Sequence, residues 1–404
     1  MADGIVLVLN AGSSSVKFRI AETTGRALYE GAISGIGSNP AFKLKDGAGK
    51  AVPLDLAPER IDEHEDALDL LLEIAARFLP SRPILAAGHR VVHGGLEFAE
   101  PVLVDDGVLA RLEAFVPLAP LHQPHNLAAI RALARLRPDL PQVACFDTAF
   151  HRTLPAAATR FALPRAWHDE GVRRYGFHGL SYEYLARRLR ELDPALAQGR
   201  VIAAHLGNGA SLCAMRDGAS VDTTMGFTAL DGLVMGTRCG ALDPGAVLHL
   251  IARRGMSAPQ VEKLLYAGSG LLGVSGVSSD MRALHLSPDP RAREAIELFV
   301  WRATREIGAL AAALDGLDGV VFSAGIGEND PAIRAMICNR LTWLGVDIDS
   351  DANTQNAPLI SHPNSRVTVR VIPTDEERMI ALHVIEALGA SNTSAERQTS
   401  ENCA

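Results

Sequence analysis

The residues with chemical potential in this chain gather where apolar runs stop. Val6–Leu9 runs into Asn10, then Ala11-Gly12, three serines and, past Val16, Lys17. Glycine lets backbone N–H groups approach an anion closely, and serine adds a rotatable donor. Similar compositions return in Gly207-Asn208-Gly209-Ala210-Ser211 after Val201–Leu206, and in Gly325-Ile326-Gly327-Glu328-Asn329 after Gly319–Ser323. Any one of these loops alone reads more readily as a structural turn. Three in one chain, each after an apolar strand, make a nucleotide site the better reading. The pattern GxxxxGK[ST] is absent, so the phosphate cradle is not a P-loop.

Charged residues occupy comparable positions. Arg90 lies in GHRVVHGG, Asp147 in CFDTAFH, His178 in RYGFHGLS, Arg238 in VMGTRCGALDP and Glu376 in PTDEER. Arginine presents a planar fork suited to carboxylate or phosphate. Two arginines among glycines, from different halves of the chain, could converge on a small anion. Each residue also has a plain structural alternative. The arginines could sit in surface ion pairs, His178 could be a packed ring, Asp147 could cap the following segment, and Glu376 could open a helix.

Strands must carry most of these residues, because the apolar runs before them are short and end in turn chemistry. Ile5–Asn10 predicts a buried strand, Ser15–Ile20 its hairpin partner and Ala27–Ser34 a third strand. Ala67–Phe78 has helical spacing, Ile84–His89 predicts a strand, Leu127–Leu136 a helix, and Gln142–Phe146 a strand ending at Asp147. A second round opens with Val201–Leu206 and Leu212–Arg216. Helices at Pro259–Tyr266 and Arg291–Ala313 follow, then strands at Gly319–Ser323 and Val367–Ile372, then a helix from about Glu377 to Leu388. LNAGSSSVKFRI and HLGNGASLCAMRDG share one plan of strand, small-residue turn and outgoing strand. Such a pair about half a chain apart predicts a duplicated α/β fold.

At 404 residues the chain predicts two domains. The first spans 1–150 and is completed by a C-terminal helix at about 377–390; the second spans 151–376, and 391–404 reads as a polar, disordered tail. Hydrophobic residues at 48% and charged residues at 21% indicate a soluble globular protein. The formal net charge of −8 gives no electrostatic reason to expect nucleic acid. No apolar run is long enough for a membrane helix, and MADGIVLVLN lacks the basic start of a signal peptide. Five scattered cysteines with no CxxC pair fit reduced thiols in a cytoplasm.

The chain resembles the acetate kinases, within the acetate and propionate kinase family. The resemblance runs from about Ile5 to about Leu388 and rests on nine motifs in the family's order. These are LNAGSSSVKF, GHRVVHGG, APLHQPHN, FDTAFH, RYGFHGLSY, HLGNGASL, MGTRCG, SAGIGEN and IPTDEE. The resemblance implies the duplicated ribonuclease H-like fold of the actin, sugar-kinase and Hsp70 superfamily, two similar α/β domains around a central cleft. It implies reversible transfer of the ATP γ-phosphoryl group to acetate, giving acetyl phosphate and ADP, with Mg²⁺ or Mn²⁺. It also implies a homodimer.

By position, Asn10 and Glu376 match the metal-site residues. Lys17, His205-Leu206-Gly207-Asn208-Gly209, Asp280-Met281-Arg282 and Gly325-Ile326-Gly327-Glu328-Asn329 match ATP contacts. Arg90 matches the acetate-binding arginine, and Val92, Leu121 and Phe177 the acetate pocket. Asp147 matches the active-site acid, and His178 and Arg238 the transition-state stabilisers. Two positions depart from the family. Ala241 replaces a common acidic residue, with Asp243 nearby, and is expected to matter structurally. Ala229 replaces a common pocket proline and puts strict acetate preference over propionate in question. Propionate or butyrate kinase is therefore the nearest alternative. An ATP-driven binding module of the same superfold is the alternative of another class. Arg90, His178 and Arg238 argue against it, because a nucleotide switch does not require them.

Overall fold

Ile5–Ala11 (β1) is buried at six of its seven positions because helices cover both its faces. Leu7 and Leu9 pack with the helices His64–Phe78 and Gln123–Leu136. The opposite face meets the helix Glu376–Glu401, which lies so close that a Cβ on Gly88 would fall 2.5 Å from Ile380 Cγ2. The computed structural model of this protein describes residues 4–53 and 61–401, with 391–401 as backbone only.

The chain divides into two units, residues 1–149 with 375–404, and residues 150–374. This division places Asp375 and Glu376 with the first unit, whereas the sequence reading put them in the second. The first unit's sheet comprises β1, Ser15–Glu22 (β2), Ala27–Ser34 (β3), Ala41–Asp46 (β4), Ile84–Val91 (β5), Val102–Leu103 (β6) and Gln142–Phe146 (β7). Their order is β4-β3-β2-β1-β5-β7-β6. The second unit's sheet comprises Arg200–Leu206 (β8), Ala210–Arg216 (β9), Ala219–Thr223 (β10), Gly319–Ser323 (β11) and Thr368–Val371 (β12), in the order β10-β9-β8-β11-β12. In each sheet an antiparallel meander leads back to a central strand, which two parallel strands then follow. The order β3-β2-β1-β5-β7 is thus repeated as β10-β9-β8-β11-β12, and the fold is the duplicated α/β fold expected from the two hairpins.

Three strands escaped the sequence reading. β4 and β10 are short and partly exposed, and β6 has two residues; none carries a long apolar alternation. Gly325–Asn329, read as a loop, belongs to a helix, Ala324–Asn329, whose preceding residue Ser323 is extended. The last helix continues to Glu401, beyond residue 390 where a disordered tail was expected. No Gly or Pro follows Gly389, and extending a helix costs less than nucleating one. Residues 402–404 of that tail lie outside the described residues. No helix among the described residues is long and apolar enough to cross a membrane.

Candidate active site

In the first unit, β1, β5, β7 and the last helix deliver their polar residues to one place. Asn10 ends the buried run of β1, Arg90 sits near the end of β5, and Asp147 follows β7. Arg19 on β2 binds Asp375 at 2.7 Å, which anchors the start of the last helix and with it Glu376. Arg90 grips Asp147 with two bonds, Nε to Oδ1 at 3.1 Å and Nη2 to Oδ2 at 2.5 Å. Its Nη1 donates to Asn10 Oδ1 at 3.2 Å, and Glu376 Oε2 lies 3.9 Å from its Nε. Burial works against the guanidinium charge, yet Asp147 and Glu376 outweigh it and raise the Arg90 pKa. Burial also raises the Glu376 carboxyl; Arg90 pulls it down, and Asp147 and Glu377 push it up. Asp147, only 1% exposed, thus has a settled partner in Arg90.

The turn after β1 is built from backbone. Gly12 N–H donates to Ser15 O at 2.8 Å, and His64 Nε2 meets Gly12 O at 2.7 Å. Asn126 ties β1 to the pocket segment, donating to Ala11 O at 2.8 Å and accepting from Val92 N–H at 3.0 Å. Lys17 is exposed and pairs in register with Asn10. Of the expected acetate-pocket residues in this unit, Val92 is buried and Leu121 is exposed. Asn10, Asp147 and Glu376 offer oxygen donors only. Among the described residues no three His, Cys, Asp or Glu side chains form a metal cage. Oxygen donors suit a hard divalent cation, which fills its remaining positions with waters and phosphate oxygens.

In the second unit, His178, His205 and Arg238 gather around the turn after β8. His178 precedes the helix Gly179–Leu192 with a left-handed backbone, φ 59°. That conformation costs a non-glycine residue on the order of 1 kcal/mol. Its ring stacks on His205, with centroids 4.1 Å apart and planes 17° from parallel. A Cβ on Gly209 would lie 3.3 Å from His178 Nε2 and 3.6 Å from Arg238 Nη2. Both nitrogens therefore border one small space, and only glycine leaves it open. Arg238 Nη1 donates to Ala229 O at 2.9 Å, so the departure at 229 leaves a backbone anchor intact. Phe177, the third expected pocket residue, is buried here.

Beside this turn lies a cavity of about 600 Å³ lined by Gly207, Asn208, Ser279, Asp280, Met281, Arg282, Gly325, Ile326, Asn329 and Asp330. Eight of these are expected nucleotide contacts; Ser279 and Asp330 are additions. Asp280 starts the helix Met281–Leu286 and binds Arg282 twice, at 3.2 and 2.7 Å, which holds its carboxyl down at about 2. Gly325 faces open space. His205, Leu206, Gly209, Gly327 and Glu328 do not line the cavity, and Lys17 belongs to the other unit. Glu328 Oε1 instead accepts from Thr374 N–H at 3.0 Å. Arg334, fully buried, donates to Gly327 O at 2.9 Å and Glu328 O at 3.0 Å and so fixes the helix that carries Gly325. The sequence reading missed Arg334; no local pattern marks an arginine whose acceptors come from Asn353, Asn356 and backbone. Ala241 contributes its carbonyl to Arg302, and Asp243 caps the helix Pro244–Ala252, so both have structural partners.

A family model described as the acetokinase family matches residues 5–382. An acetate kinase of Rhodopseudomonas palustris is 55% identical over 388 residues, 94% of this chain and 97% of its own. An acetate kinase of Nitrobacter hamburgensis is 52% identical over 404 residues, covering 97% and 98%. The crystal structure of Porphyromonas gingivalis acetate kinase superposes with a TM-score of 0.87 at 39% identity, covering 95% of this chain and all of that one. A propionate kinase structure from Francisella tularensis superposes with a TM-score of 0.88 at 38% identity, covering 94% and 98%.

Proposed function

The chain belongs to the acetokinase family and is an ATP:acetate phosphotransferase, and we propose that Arg90, His178 and Arg238 are the cations and donors that let acetate attack the γ-phosphoryl group. The observation that carries this reading is the space at Gly209, bordered by His178 Nε2 and Arg238 Nη2 next to the nucleotide-sized cavity.

Acetate is ionised at neutral pH, since carboxyl pKa values lie near ~4. No general base is needed to create the nucleophile. The difficulty is bringing one anion to another. In this reading Arg90 receives the acetate carboxylate with the donors that Asp147 and Asn10 leave free, and Asp147 acts by holding the Arg90 fork in plane. Val92, Leu121 and Phe177 cover the methyl group. Lys17 and the residues of the cavity bind the nucleotide phosphates and base, and His178 and Arg238 donate to the equatorial oxygens as they gain charge. Asn10 and Glu376 would hold Mg²⁺, partly through water, and the ion would neutralise phosphate charge. Mg²⁺ as the metal, the cytoplasm as the compartment and a homodimer as the assembly belong to the same proposal. Supporting the dimer, the apolar helix Pro244–Ala252 buries none of its residues, and Leu248 is 64% exposed.

The test is phosphoryl transfer from ATP to acetate, propionate and butyrate measured side by side. This reading expects acetate to have the highest kcat/KM. With Ala229 in place of the family's proline, propionate is expected within about 10-fold, the scale of one methylene in an apolar pocket. Preference for propionate or butyrate would overturn the substrate assignment.

A further inference from the structure

His178 is gripped from behind as well as stacked. Its Nδ1 lies 2.9 Å from Ser211 Oγ, and Ser211 Oγ lies 2.5 Å from the Tyr182 hydroxyl. Ser211 and Tyr182 are both fully buried. Tyr182 lies four residues after His178, one turn into the helix Gly179–Leu192, so its ring returns to the same side. Ser211 comes from β9, directly across from His205 on β8. Helix and hairpin thus meet behind one imidazole.

Each hydroxyl has one proton to give. Burial raises the Tyr182 pKa well above the ordinary phenol range, so the hydroxyl keeps its proton. Ser211 Oγ is the hydrogen-bond partner of the buried Tyr182 hydroxyl, so the phenol proton goes to Ser211. Ser211, accepting from Tyr182, sends its proton to His178 Nδ1. Nδ1 is then an acceptor, and the ring proton stands on Nε2, the atom that faces the space at Gly209. The opposite polarity would leave the buried Tyr182 proton without this partner.

We infer that Ser211 and Tyr182 are positioning residues that lock His178 as the neutral Nε2–H tautomer, aiming a single donor at the transferring phosphoryl group. The inference rests on the catalytic reading of His178 above and adds what that reading leaves open, the proton's location and the residues that set it. Ser211 and Tyr182 touch no substrate in this scheme. Their action passes through the ring.

The tautomer is directly observable. Full-length protein labelled with ¹⁵N-histidine gives long-range ¹H–¹⁵N correlations in which protonated and bare ring nitrogens differ, and His178→Gln identifies the His178 signals by their loss. The expected wild-type spectrum has Nε2 protonated and Nδ1 bare. In Tyr182→Phe the Ser211 proton loses its direction, and the Nδ1–H tautomer becomes visible. The kcat then falls about 10-fold, the scale of one misplaced hydrogen bond, while both KM values stay within about twofold. Ser211→Ala is expected to do the same more strongly, and Ser211→Thr to restore most of the rate. A wild-type His178 protonated on Nδ1 overturns the inference, whatever the variants do. So does a Tyr182→Phe enzyme with the wild-type tautomer and rate. If Ser211→Ala does not fold, the wild-type spectrum and Tyr182→Phe still decide. If His178→Gln keeps full activity while wild type shows the Nε2–H form, the catalytic reading fails and the hydrogen-bond relay stands.

Discussion

Arg238 spends one nitrogen on the Ala229 carbonyl and turns another toward the space at Gly209. That division suits a residue that must be rigid before charge develops. Arg238→Ala is expected to lower kcat by about 10³-fold or more, the lower range for an arginine that stabilises a transferring phosphoryl group. A steady-state assay at saturating ATP and acetate measures it, and a near-normal kcat would remove Arg238 from the mechanism. Asp147 makes a different prediction. Its two oxygens are occupied by Arg90, so it has no reason to carry a proton in the reaction. Asp147→Asn is expected to weaken acetate binding by loosening Arg90, with the acid limb of the pH–rate profile unchanged. Loss of that limb would assign the carboxylate a proton-transfer role. Both residues were legible in the sequence as charges at strand or loop ends; the partner of Asp147 was not, because Arg90 is 57 positions away.

Elements position these residues through close backbone approaches that only glycine allows. A Cβ on Gly236 would fall 1.9 Å from Asn208 Oδ1, and Gly236 N–H donates to Asn208 O at 2.9 Å. Gly236→Ala therefore forces the Asn208 side chain, which lines the cavity, to move. The expected result is an ATP KM raised about 10-fold or more with acetate KM little changed, since one lost or displaced polar contact is worth about 1–1.5 kcal/mol. Unchanged ATP kinetics would show that Asn208 does not serve the nucleotide. The strands β4, β6 and β10 and the helix Gly179–Leu192 escaped the sequence reading, but most other strands and long helices were readable from apolar periodicity, usually within a few residues, because burial on a sheet or helix face imposes it. The helix Ala324–Asn329 was not. Two of its six residues are glycines, and its hold on Arg334 comes from positions that sequence spacing does not reveal.

At the scale of the whole molecule, buried histidines make stability depend on pH. His89 and His93 in the first unit and His151 in the second are pushed down to about 4 by burial. An exposed histidine in the unfolded chain titrates near ~6.5. Between these values the unfolded state binds more protons, so folding stability rises with pH across roughly 4 to 6.5 and is lost as pH falls through that window. Each such histidine contributes a slope of up to about 1.4 kcal/mol per pH unit there. Urea unfolding at pH 5 and pH 7 should show lower stability at pH 5, and His151→Gln should flatten the difference if it folds. Equal stabilities at the two values would mean that these rings are not buried neutral. The uncovered helix Pro244–Ala252 gives a second molecular prediction. Leu248→Asp should shift the protein from dimer to monomer in light scattering while leaving its circular dichroism unchanged, because Leu248 has little to lose within its own chain. A monomeric wild type would remove the dimer from the proposal.

The sequence by itself determined the duplicated plan, the strand ends that carry chemistry and the family, because hydrophobic periodicity and turn composition are local and the motifs are contiguous. The tertiary structure alone decided which polar groups complete one another. Arg90 with Asp147 and Asn10, Gly209 beside His178 and Arg238, and Arg334 with Asn353 and Asn356 are pairings between residues far apart in the chain. A buried polar group must find a partner, but which partner depends on sheet order and register. Those follow from the packing of the whole chain, and no short stretch encodes them.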